Sequence, residues 1–92
     1  MAKDPGLGFK VTATITGVKG LCNAGHREGD TFEISCHNPS EMCGLFFHSI
    51  FPNLMTFQYG GGLPWWNSDA IYLHCPDPQN LVTVKLERAH RE

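Results

Sequence analysis

Four cysteines, at positions 22, 36, 43 and 75, and the imidazole of His26 are the side chains here with the most chemistry to offer. Three sulfurs and one nitrogen make a common tetrahedral zinc set, and thiolates also hold iron–sulfur clusters. Cys22 and His26 stand four residues apart in "GLCNAGHREGD", residues 20–30, a glycine-rich connection that closes on Gly29-Asp30. The chain has no C-x2-C knuckle, so a metal site would have to be assembled from distant segments. Cys36 and Cys43 are themselves separated by six residues, with a helix start between them. His37, beside Cys36, is a second nitrogen donor but reads more simply as a polar residue ahead of that helix. A thiol beside an imidazole is also the activated nucleophile of cysteine hydrolases, which makes Cys22 with His26 an enzymatic alternative that also needs an oxyanion hole. The C-x-x-C pair of dithiol redox proteins is absent. Against all of these stands the plain fact that free cysteine is often a buried, inert residue.

Other groups carry weaker signals. Glu28 with Asp30, and Asp77 in "CPDP", supply carboxylates, although turn aspartates usually bond their own backbone. "GGGLP" lacks the lysine and the strand–helix context of a phosphate loop. His48 reads as a solvated or locally bonded histidine on a helix. Trp65 and Trp66 are adjacent in a loop and cannot both point into one core, so at least one is expected at a subunit interface or in the wall of a ligand pocket.

The elements that must position these groups are legible in the periodicity. "FKVTATIT" alternates strictly, with Phe9, Val11, Ala13 and Ile15 on one face, and reads as a half-buried strand. "TFEISC" is a second strand with Phe32, Ile34 and Cys36 on a common face, antiparallel to the first. Asn38, Pro39 and Glu41 fit a helix start, with an N-cap, a first-turn proline and a capping box. Cys43, Phe47 and Ile50 recur at helical spacing, and Pro52 kinks or ends the helix before two more turns run to "GGG" at 60–62. "IYLHC" and "LVTVKLERA" are two further strands, joined by the proline-rich turn "PDPQN".

The totals bound the rest. Ninety-two residues allow one core, and a chain of this size hides about 60–65 % of its unfolded surface, so its stability is expected to be thin. The balance of 7 basic and 9 acidic residues, with no basic stripe, argues against nucleic-acid binding. No apolar run approaches the roughly 18 residues that span a bilayer, and "MAKDPGLGFK" lacks a secretory apolar core. No membrane partner and a cytoplasmic location are therefore expected. In a reducing compartment the four thiols point to free cysteines, a metal or redox chemistry; as disulfides they would allow three pairings, among which the sequence does not choose.

The stretch "CNAGHREGDTFEI", the helix with its early cysteine, "FP" near the helix end, and "CPDP" before the last strand resemble a family of small uncharacterised prokaryotic proteins. Members of that family read C-x-x-G-H-x-x-G-D near the start and C-P-D-P near the end, and the resemblance runs from about Phe9 to Arg88. It carries over Cys22, Gly25, His26, Gly29, Asp30, Cys43, Cys75, Pro76 and Asp77, and leaves Cys36 outside. It implies one group made of Cys22, His26, Cys43 and Cys75, and no particular activity.

The expected fold is α+β: a flexible lead-in over residues 1–8, then one domain over 9–92 in the order β-β-α-β-β, with a largely antiparallel sheet and a kinked helix on one face. The expected function is binding of zinc or iron at Cys22, His26, Cys43 and Cys75. The alternatives are a non-enzymatic homo-oligomeric module with inert cysteines, its contact at Trp65 and Trp66, and a thiol-dependent enzyme using Cys22 with His26.

Overall fold

The computed structural model describes residues 3–66 and 69–91. The alternating segments form an antiparallel sheet of four strands: β1 (Lys10–Val18), β2 (Thr31–Ile34), β3 (Ala70–His74) and β4 (Val82–Ala89), in the spatial order β2-β1-β4-β3. The two longest strands, β1 and β4, pair at the centre, with Ala13 opposite Leu86 and Thr12 opposite Glu87. Their register slips between Ile15 and Gly17, where a bulge loosens the ladder just before the cysteine-bearing loop. The pleat sends Val11, Ala13, Ile15, Val84 and Leu86 into the core and leaves threonines and charged residues on the opposite face.

The helix α1 (Gly44–Gln58) covers the apolar face with Phe46, Ile50, Leu54 and Phe57. Its start differs from the expectation at Asn38. The Asn38 side chain instead accepts the Ser40 N–H at 2.8 Å, and Met42 N–H closes on Pro39 O, so the apparent capping residues build a separate turn. The N-cap is Cys43, and the buried stripe is shifted so that Phe47 is only half-buried. The helix continues through Pro52, with the Thr56 hydroxyl donating to the Pro52 carbonyl at 3.2 Å. No helix among the described residues is long and apolar enough to cross a membrane.

The approach to β1 is tied to the domain from both sides. Gln58 donates to Leu7 O, Phe9 N–H donates to Gln58 O, and Arg91 bonds both Gly8 O and the Asp4 carboxylate. Arg88 secures the far end of α1 by donating to Phe57 O at 2.8 Å and Gly61 O at 2.7 Å, with its guanidinium over the Phe57 ring.

Candidate functional site

At the opposite end of the helix three chain segments meet. The loop after β1, the start of α1 and the turn between β3 and β4 surround a cavity of about 90 Å³ whose walls include Cys22, His26, Cys43, Cys75, Asp77 and Asn80. All four residues expected to form one group line this single cavity. Cys36 is not among its lining residues; it follows β2, its amide bonded to Gln58, and burial pushes its thiol up from the ordinary range. All four cysteines are free.

Each wall residue is positioned by a local device. Cys43 caps α1, its carbonyl accepting the Phe47 N–H at 2.9 Å. Its own N–H donates to His26 Nε2 at 3.0 Å. The His26 ring is 9 % exposed, stacked on Phe32 at 6.0 Å and set edge-on to Phe46 at 6.3 Å. Cys75 follows the last residue of β3 and continues the ladder: its N–H donates to Val82 O at 3.0 Å, while its Sγ accepts the Val82 N–H at 3.2 Å. Asp77 organises the turn beyond it. One carboxylate oxygen accepts the Gln79 N–H at 2.9 Å and the other accepts the Asn80 side-chain amide at 3.0 Å. The Gln79 N–H and then the Asn80 side chain hold the Asp77 carboxyl below the usual carboxylate range.

Asn80 reaches across to the first loop, where its Oδ1 accepts the Leu21 N–H at 3.1 Å. The contact requires glycine at position 20, because a β-carbon there would collide with that same oxygen. Gly25 serves the loop differently. It takes φ of +90° and donates to Cys22 O at 3.0 Å, folding "CNAG" into a tight turn that brings His26 back toward the helix. Asn80 had no assigned role in the sequence; the proline-rich "PDPQN" was legible only as a turn signal. Asp30, by contrast, does what turn aspartates do and accepts the Arg27 N–H at 2.9 Å.

The geometry bears on each proposed chemistry. His26 makes no hydrogen bond to Cys22 among the described residues, its Nε2 being occupied by the Cys43 amide. No group of three or more histidine, cysteine, aspartate or glutamate side chains among the described residues stands at metal-holding separations. The thiols therefore surround the cavity without closing on a centre. Away from the cavity, Trp65 is 71 % exposed, while Trp66 packs edge-on against Phe57 of α1 at 5.8 Å. Both tryptophans line a groove of about 490 Å³ with Tyr72 and Lys85.

No protein-family model, curated protein or solved structure matches the chain.

Proposed function

We propose that the cavity binds a thiophilic metal ion, zinc or iron, through the sulfurs of Cys22, Cys43 and Cys75. The observation that carries it is the convergence of three free thiols, from a loop, a helix cap and a strand end, on one cavity that leaves Cys36 out. Soft thiolate donors select such ions over magnesium or calcium. The cavity has room for several waters, so binding contracts it. The segment best placed to move is the exposed loop carrying Cys22, since Cys43 and Cys75 sit on ordered elements.

The test is a cobalt(II) titration of the reduced, metal-free protein, with zinc competition and elemental analysis of the freshly purified chain. One equivalent is expected to bind with sulfur-to-cobalt charge-transfer absorption, unchanged in Cys36→Ser and abolished in Cys75→Ser. Absence of that absorption in a folded wild-type protein rejects a metal site here.

A further inference from the structure

Between Glu41 and Asp69 the chain contains no aspartate, glutamate, lysine or arginine, although 17 % of its residues are charged. The helix α1 takes up the middle of that segment. One side of it covers the sheet; the other is the outer surface of the domain. A surface helix ordinarily carries its charges on that outer side. Here the outward stripe is Leu45, His48, Pro52, Met55 and the C-cap Tyr59, all exposed. Leu45 is 63 % exposed, Met55 45 % and Tyr59 49 %. Phe47 and Phe51, half-buried and set edge-on at 5.7 Å, widen the stripe on one flank. His48 is its only residue that can carry a charge near neutral pH.

Charge and symmetry decide what covers this face. Helices that lie on lipid set lysine and arginine beside their apolar stripe, and α1 has neither. An acidic or basic partner finds no counter-charge on it. A second copy of the chain does fit. The stripe steps by three, four, three and four residues, the spacing of helices that pack nearly antiparallel or parallel at a shallow angle. It is also close to symmetric about Pro52. An antiparallel copy sets Leu45 against Tyr59, His48 against Met55 and Pro52 against itself, which is an isologous contact. Leu45, Met55 and Tyr59 leave roughly 300 Å² of side chain uncovered per protomer. With Phe47, Phe51 and Pro52 added, two copies bury on the order of 1,000 Å², the lower bound for a specific interface. The dimer is therefore reversible.

We propose that α1 is the contact face of a homodimer in which two helices pack antiparallel across a two-fold axis near Pro52. The contact needs no metal, so the experiment uses the full reduced chain in chelator.

Sedimentation equilibrium is expected to show a monomer–dimer equilibrium with Kd of about 1–100 μM, the weak range for so small an interface. Met55→Glu buries an unpaired carboxylate and is expected to weaken association at least about tenfold, with far-UV circular dichroism unchanged. Trp65 is exposed too but stands at the groove beside β3, so Trp65→Ala is expected to leave Kd within about twofold of wild type. Leu45→Lys and Tyr59→Glu are each expected to weaken association at least about tenfold. The double variant is expected to associate more tightly than either single one. Its new amine and carboxylate meet across the axis, yet stand about 21 Å apart within one chain. A wild type that stays monomeric well above that Kd range overturns the proposal. So does a folded Met55→Glu that associates like wild type, or a dimer lost in Trp65→Ala instead. A double variant no tighter than the singles overturns the antiparallel packing. Co-sedimentation of a monomeric wild type with phosphatidylcholine–phosphatidylserine vesicles would give the face to lipid and overturn it as well.

Discussion

Gln58 is fully buried near the end of an otherwise apolar helical stripe, and both ends of its amide are used. Its Oε1 accepts the Cys36 N–H at 2.8 Å and its Nε2 donates to Leu7 O at 3.0 Å. Replacing it by leucine keeps the volume and leaves two partly buried backbone groups without their partner. The expected cost of Gln58→Leu is about 2–4 kcal/mol, read as a lower urea midpoint at unchanged slope. A loss below about 0.5 kcal/mol would show that water replaces the glutamine at both sites. The sequence did not announce this residue, since a lone glutamine at a helix end reads as surface. Cys22, His26, Cys43 and Cys75 stood out by residue type, and the family resemblance is what grouped them without Cys36. What each one bonds was not legible: the amide that His26 meets lies 17 positions away, and only the true start of α1 brings it there.

Among the elements, strands were the readable part, because alternation survives whichever neighbour a strand pairs with. The helix start was misread because asparagine and proline serve turns and caps equally well, and here they build a turn at residues 38–42. The turn between β3 and β4 carries a charge dependence that can be measured. Asp77 is stabilised as the anion by the Gln79 N–H and the Asn80 side chain, so its carboxyl titrates lower folded than unfolded. A depressed carboxyl contributes stability that is present above its unfolded pKa and lost as pH falls through the folded one. The contribution is therefore intact near neutrality and disappears below about pH 4. Asp4, held low first by the Gly6 N–H and helped by Arg91, adds a second acid-sensitive contribution of the same sign. Asp77→Ala is expected to keep the Asp4 part only. Its urea midpoint should fall less than that of wild type when pH is taken from about 6 to about 2.5. Equal acid sensitivity in the two proteins would mean that Asp77 does no more for the folded turn than for the unfolded chain.

For the whole molecule, the cavity lies at the end of the core where the Cys22 loop, the start of α1 and the turn between β3 and β4 meet. The large buried side chains of α1, from Phe46 to Phe57, hold its length against β1, β4 and β3. The Cys22 loop is mostly exposed, and its cross-chain ties are hydrogen bonds to Leu81, Asn80 and Cys43. An ion bridging Cys22, Cys43 and Cys75 would cross-link three segments that the apolar core leaves loosely joined, and the unfolded chain offers no such arrangement. Binding free energy then becomes folding free energy. At a free metal concentration about 100 times Kd the gain is about 2.7 kcal/mol. For a domain of this size that raises Tm by roughly 10–20 °C. Calorimetry of the reduced protein with and without zinc is the direct measurement. The same rise is expected in Cys36→Ser, whose thiol lies outside the cavity, and none in Cys43→Ser or Cys75→Ser. A zinc-dependent rise that persists in Cys75→Ser would place the ion elsewhere on the chain. No rise in wild type, at metal concentrations that saturate a thiolate site, would return the cavity to a cluster of inert cysteines.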